Sequence, residues 1–126
     1  MQKIKEVFSS FSVDDQAKAK QFYGEVLGLN VEDGKMGLVL HMNGGGTVYI
    51  YPKDNHEPAT FTVLNLEVED IEAAVDDLTK HGVKLEHYDG MGQDEKGILR
   101  GKKANQGPDI AWFKDPAGNI VSVLQN

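Results

Sequence analysis

Apolar and polar positions follow one pattern twice along the chain. In the first half, the acidic doublet Asp14-Asp15 precedes an amphipathic stretch that ends at Gly28. In the second half, Glu69-Asp70 precedes another amphipathic stretch, which ends at Gly82. Position 69 lies 55 residues after position 14 in a chain of 126. Because a repeated pattern of caps and apolar faces indicates a repeated supersecondary unit, the sequence predicts two similar half-domains that enclose a cleft.

The first half has the pattern of a β-α-β-β-β unit. Alternating apolar residues up to Val13 indicate a half-buried strand, after which Asp14 or Asp15 can cap a helix. Apolar residues at spacings of three and four then share one helical face until Gly28. Short apolar runs at 29–32, 36–42 and 47–51, separated by glycine-containing turns, predict three further strands.

The second half repeats this order. A strand is predicted over 61–68, followed by a helix whose inner stripe contains Ile71, Val75 and Leu78 and which stops at Gly82. Strands are predicted over 83–88, 110–113 and 120–124. The intervening segment 89–107 is unusually long for a connection in a small domain, which indicates a lid or binding loop, or else disorder.

Length and composition favour a single domain over residues 1–126. At this length one core can bury roughly two-thirds of the unfolded surface. Within that domain, module one is expected over about 1–52, a polar linker over 53–60 and module two over about 61–126. Apolar residues make up 40% and charged residues 26%, which excludes the composition of a disordered chain.

Charge and cysteine content narrow the functional classes. The formal net charge is −7, so the chain is expected to repel nucleic acid and anionic membranes. There is no cysteine, which excludes disulfides and thiolate nucleophiles. No stretch approaches the roughly 18 apolar residues of a membrane span, and the amino terminus lacks the apolar core of a signal peptide. We therefore expect a cytoplasmic protein.

Three segments together resemble a known family. They are Val13 through Leu29, with its Phe22-Tyr23 and Val26-Leu27-Gly28-Leu29; Val68 through Val83; and Trp112 through Asn119, with its Asp-Pro-Ala-Gly-Asn turn. Their order and spacing resemble the glyoxalase, bleomycin-resistance and extradiol-dioxygenase superfamily, also called vicinal oxygen chelate proteins. The resemblance implies an α+β fold in which tandem βαβββ modules form a curved mixed sheet with a concave cleft, commonly completed by a homodimer.

The resemblance also implies positions for metal ligands. Metal-dependent members carry a histidine in the first strand of a module and a carboxylate or amide in the last. The corresponding positions in this chain are Phe8, Val63, Ser122 and Ile50, or Tyr49 or Tyr51 if the alignment shifts by one residue. Divalent metals need imidazole nitrogen or carboxylate oxygen, and the residues at these positions lack such donors. We therefore predict no metal and no cofactor.

The remaining candidate residues have alternative roles. Tyr49 and Tyr51 lie on one side of their strand and form either core or pocket wall. His41 and His87 lie in predicted strands and either face the cleft or are structural. Arg100, in the long segment, is either a lid residue that clamps a ligand carboxylate or a solvated charge. The predicted ligand-binding pocket consists of Phe8, Ser10, His41, Tyr49, Tyr51, Val63, His87, Arg100, Trp112 and Ser122.

These features predict a metal-independent protein that binds a small organic molecule and forms a homodimer, with no catalytic residue assigned. The alternative is a metal-dependent enzyme of glyoxalase or dioxygenase type, which would recruit His41, His87 and a carboxylate as atypical ligands. A third interpretation is an interaction module without a ligand.

Overall fold

Two mixed four-stranded sheets, each with one helical region, make up the chain. The computed structural model describes all residues from 1 to 126. They divide into unit 1, Met1–Pro58, and unit 2, Ala59–Asn126. No helix has both the length and the apolar character needed to cross a membrane.

Unit 1 has the element order β-α-β-β-β. Asp15 caps helix α1 (Gln16–Gln21), and its carboxylate accepts a hydrogen bond from the Lys18 amide at 3.1 Å. The helix continues as a π-helical turn, Phe22–Val26. The strands are β1 (Ser9–Val13), β2 (Asn30–Asp33), β3 (Leu38–His41) and β4 (Thr47–Pro52). Their order in the sheet is β1-β4-β3-β2, with β1 parallel to β4 and the other pairs antiparallel.

One face of the unit 1 sheet packs against the helical region and forms the core. Phe11 projects from β1 on this face, and its ring lies 6.0 Å from that of the fully buried Tyr23. Leu38 and Ile50, which are paired across β3 and β4, are also fully buried. Because side chains alternate along a strand, the neighbouring residues project to the opposite face.

Unit 2 repeats this organisation. Asp70 caps helix α2 (Ile71–Lys80), and its carboxylate accepts from the Ala73 amide at 3.1 Å. The buried stripe of α2 packs against the sheet through contacts with β7 and β8. The strands are β5 (Thr62–Glu67), β6 (Leu99–Arg100), β7 (Asp109–Lys114) and β8 (Ile120–Gln125), in the order β5-β8-β7-β6.

The strand predicted over 83–88 is wrong. Only an isolated bridge between Leu85 and Phe113 forms there, and the Glu86 amide donates to the Trp112 carbonyl at 2.8 Å. The side chain of Gln93 takes the neighbouring backbone groups: its Oε1 accepts from the Tyr88 amide at 2.7 Å, and its Nε2 donates to the Glu86 carbonyl at 2.9 Å. The short strand β6, inside the segment 89–107, completes the sheet instead. The predicted α+β fold of two βαβββ units is confirmed.

Candidate functional site

A groove of about 620 Å³ lies in unit 1, on the sheet face opposite α1. Strand pairing explains its composition. Ser10 pairs with Tyr49, and Tyr49 pairs with Val39, so these three side chains project to the same face. Tyr51, two residues further along β4, joins them. The groove therefore has an apolar and aromatic floor that the alternation of β1 and β4 creates.

The pairing also decides between two alternatives left open by the sequence. Tyr49 and Tyr51 line the groove and are not part of the core, since they are 36% and 38% exposed. Ile50, between them, is 0% exposed and projects to the core face with Phe11. Of the positions considered for the last strand of module one, the groove is thus lined by the tyrosine side chains.

Phe8 extends the aromatic surface beyond the start of β1. Its ring lies 4.9 Å from that of Tyr49 in an edge-to-face arrangement, with an angle of 66° between the planes. Phe8 is nevertheless 56% exposed. Core aromatic residues are covered by the protein, whereas the rings of Phe8 and Tyr49 are partly exposed. Both rings therefore offer contact area to a molecule in the groove.

The turn between β2 and β3 forms one rim of the groove, and no pattern in the sequence predicted this. The Gly34 amide donates to the Gly37 carbonyl at 2.7 Å and closes the turn. This closure places Lys35 and Met36 at the groove, and Met36 is highly exposed. The turn signal of Asp33-Gly34 was visible in the sequence, but its position over β4 depends on tertiary packing.

Two histidines of unit 1 lie outside the residues that line the groove. His41, at the end of β3, has its Nε2 atom 3.5 Å from a carboxylate oxygen of Glu32 on β2. His56 has its Nδ1 atom 2.7 Å from the Ser12 hydroxyl, a contact between residues too distant in sequence to be anticipated. His41 is therefore not among the groove residues, contrary to its predicted place in the pocket.

Trp112 and Ser122 lie in unit 2, paired across β7 and β8. Ser122 is fully buried, and its hydroxyl donates to the Asn65 side-chain oxygen at 2.6 Å, so this serine has a structural partner. Trp112 packs edge-on against Tyr88 at 5.7 Å. Burial, and to a lesser degree the Glu86 carboxylate, raises the pKa of Tyr88.

Val63 and His87 occupy different surroundings in unit 2. The pairing of β5 with β8 shifts between Thr62 and Leu64, so Val63 falls in an irregularity of the strand. His87 is exposed and lines a separate groove beside α2, together with Val75. The structure thus gathers Phe8, Ser10, Tyr49 and Tyr51 into one groove and places the other predicted residues elsewhere in their own units.

Arg100 is not a free clamp for a ligand carboxylate. Its guanidinium lies 2.8 Å from Glu72 on α2, 3.1 Å from Asp94 and 3.8 Å from Asp109. It projects toward the face that carries α2, because it pairs with Asp109 and alternates with Leu99. Three protein carboxylates thus surround the Arg100 guanidinium, and its role as a ligand clamp stays a prediction.

Asp94 holds the segment 89–107 in place. One carboxylate oxygen accepts from the Ile98 and Lys96 amides, each at 2.9 Å, and the other accepts from Arg100 Nε at 3.1 Å. Burial raises the pKa of Asp94, but these backbone amides and the Arg100 guanidinium outweigh burial and bring it below its usual range. Hydrogen bonds to its charged form therefore hold residues 94–100 together, and Lys96 and Arg100 link this part of the segment to Asp76 and Glu72 of α2.

Replacing Asp94 by asparagine is expected to lower the free energy of unfolding by roughly 1.5–3 kcal/mol at pH 7, because hydrogen bonds to a charged acceptor are lost. The folded pKa is lowered, so the stabilisation is complete above the unfolded pKa of about 3.9 and is lost as pH falls through the folded pKa. Urea denaturation at several pH values measures this. The difference between wild type and variant should shrink in acid, whereas Asp89→Asn, at an exposed position of the same segment, should change little at any pH. A difference that is constant with pH would contradict the assignment.

Comparison with known proteins identifies the family. Residues 4–123 match the model of the Glyoxalase/Bleomycin resistance protein/Dioxygenase superfamily. The chain belongs to this superfamily. No curated protein matches the sequence.

Several solved structures share the fold of this superfamily member. TnmS3, an antibiotic binding protein from Streptomyces sp. CB03234, is 24% identical, with 98% of each chain covered and a TM-score of 0.64. A superfamily member from Sphaerobacter thermophilus DSM 20745 is 25% identical, with 98% of each chain covered and a TM-score of 0.68. FosX, a genomically encoded fosfomycin resistance protein from Listeria monocytogenes, is 11% identical, covering 99% of this chain and 95% of its own, with a TM-score of 0.70.

The donor groups of this superfamily member do not fit a divalent metal. No group of three or more His, Asp or Glu side chains is arranged to hold one. Within unit 1, His41 meets a single carboxylate, that of Glu32. The proposed atypical ligand set of His41, His87 and a carboxylate is not among any such group, and one histidine with one carboxylate falls short of the three protein ligands of a catalytic zinc site.

Proposed function

We propose that this superfamily member binds a small organic molecule without a metal, and that the ligand lies in the groove of unit 1. The observation that carries the proposal is the accessible aromatic surface of Phe8, Tyr49 and Tyr51 around a volume of about 620 Å³. Ligand sites for small molecules commonly enclose about 300–1,000 Å³ and combine apolar walls with a few polar groups. Ser10 and the two tyrosine hydroxyls supply such polar groups.

The physics of the groove favours a flat molecule. Aromatic side chains gain about 0.5–1.5 kcal/mol per well-placed ring contact beyond the burial of apolar area. Tyrosine loses little conformational entropy when it is immobilised, so Tyr49 and Tyr51 are suited to act as rigid contacts. Met36 on the rim can adapt its shape to different ligands. A planar ring system would contact the aromatic rings, the tyrosine side chains and the Met36 side chain.

The comparisons support the same class of function. TnmS3 is an antibiotic binding protein and FosX is a fosfomycin resistance protein, so this fold is compatible with recognition of small molecules. For this chain we propose only the class, a small organic molecule. A homodimer and a cytoplasmic location stay predictions from the sequence, and light scattering of the purified protein tests the first of them.

A thermal-shift screen against aromatic acids and aromatic antibiotics tests the proposal. A ligand at a hundred times its dissociation constant stabilises the folded state by about 2.7 kcal/mol. For a chain of this length we expect the midpoint of unfolding to rise on the order of 10 °C. No shift across a broad library would contradict ligand binding. Stoichiometric zinc, nickel, iron or manganese in the purified, tag-free protein would contradict the metal-independent part.

A further inference from the structure

The charge of the groove is opposite to the charge of the whole chain. Lys35 is the only charged residue among those that line the groove, and no carboxylate lines it. The chain as a whole carries a formal net charge of −7, with 20 acidic residues against 13 basic ones. A groove with the average charge composition of the chain would therefore be acidic, but this groove is lined by one basic residue and no acidic one.

The acidic residues closest to Lys35 in the sequence are engaged elsewhere. A carboxylate oxygen of Asp33 lies 2.6 Å from Lys20 Nζ on α1. Glu32 is directed toward His41, 3.5 Å away. Lys35 itself makes no hydrogen bond or ion pair through its side chain. Its ammonium group is therefore available to a ligand.

We propose that the groove selects planar aromatic molecules that carry one anionic group. This inference rests on the proposed function and adds the ligand class. The ring system lies against Phe8, Tyr49 and Tyr51, and the anionic group lies at the rim beside the Lys35 ammonium. At physiological ionic strength, charges more than about 8 Å apart are largely screened, so a ligand responds mainly to the charges beside it, and Lys35 is the charged residue that lines the groove.

Two fluorescent probes with the same rings separate charge from shape. Anilinonaphthalene sulfonate is anionic, and phenylnaphthylamine lacks the sulfonate but keeps the ring system. Each probe is titrated into the wild-type protein and into Lys35→Gln and Lys35→Glu. The control Lys18→Glu makes the same change in net charge on α1, outside the groove. Circular dichroism confirms that each variant is folded.

We expect Lys35→Glu to raise the dissociation constant of the sulfonate by about tenfold, and Lys35→Gln by about threefold, as is typical of exposed ion pairs. The dissociation constant of the uncharged probe should change less than about twofold in either variant, and Lys18→Glu should leave both probes unaffected. Raising the salt concentration should weaken binding of the sulfonate more than binding of the uncharged probe, because salt screens exposed charges.

Three outcomes would overturn the inference or its basis. If the Lys35 variants leave the dissociation constant of the sulfonate unchanged, or raise the dissociation constants of both probes equally, the proposed selection for an anion is wrong. Binding in the groove is not affected by that result. If Lys18→Glu weakens the sulfonate as much as Lys35→Glu does, net charge and not Lys35 is responsible. If neither probe binds the wild-type protein, or if Tyr49→Ala leaves both dissociation constants unchanged, the proposed groove function fails as well.

Discussion

Replacing Tyr49 and Tyr51 together by alanine is expected to weaken binding of anilinonaphthalene sulfonate by about a hundredfold. Large aromatic residues at the centre of a site commonly contribute 2 kcal/mol or more, and a hundredfold change corresponds to about 2.7 kcal/mol. Both side chains line the groove and project away from the core. Fluorescence titration or calorimetry measures the dissociation constants.

The folded state should survive this double change. Tyr49 and Tyr51 are each more than a third exposed, so their truncation removes little buried area. The exposed Phe61 of unit 2 provides a matched aromatic control, and Phe61→Ala should leave the affinity unchanged. A double variant that is folded and binds as tightly as the wild type would contradict the assignment of the groove.

Replacing Gly37 by alanine is expected to lower the free energy of unfolding by about 3 kcal/mol or more. A Cβ atom at this position would lie 2.3 Å from the Ile50 carbonyl oxygen and 2.9 Å from Tyr51 Cα. The φ angle of Gly37 is +146°, in a region that residues with a side chain rarely adopt. The backbone of β4 would have to move, and with it the floor of the groove. Urea denaturation measures the loss.

Gly45→Ala separates steric crowding from backbone strain. Gly45 also has a positive φ, +89°, but a Cβ atom there would meet nothing within 4 Å. Strain alone should cost about 1–2 kcal/mol. We therefore expect Gly37→Ala to be clearly more destabilising and to weaken probe binding, whereas Gly45→Ala leaves the dissociation constant unchanged. Equal losses of stability in the two variants would show that Gly37 is not crowded against β4.

The parts of the fold that were predictable are those set by local chemistry. Asp15 and Asp70 accept hydrogen bonds from amides of the first helical turn, as their position before each amphipathic stretch indicated. Gly28 and Gly82 have φ angles of +70° and +83°, which explains why glycine follows each helical region. The apolar spacing did not predict that the last turn of the first helical region, Phe22–Val26, is π-helical.

The absence of a strand over 83–88 and the surroundings of Arg100 were not predictable, because both depend on side chains outside the local pattern. The apolar run at 83–88 resembles a strand, but Gln93 takes the backbone groups that a strand would need. Arg100 looked free because its partner Glu72 lies 28 positions away. In the groove, alternation along β4 predicted that Tyr49 and Tyr51 share one side of their strand, whereas their pairing with Ser10 of β1 came from the structure. The position of Lys35 at the groove depends on how the turn between β2 and β3 closes over β4, and no local sequence pattern predicts that closure.

A ligand in the unit 1 groove should change the environment of the residues that line it. NMR chemical shifts followed during a titration with anilinonaphthalene sulfonate measure this for each residue separately. We expect the largest saturable shifts at Phe8, Lys35, Val39, Tyr49 and Tyr51. Saturable shifts confined to unit 2, for example around Trp112, with no change at these groove residues, would contradict binding in the groove.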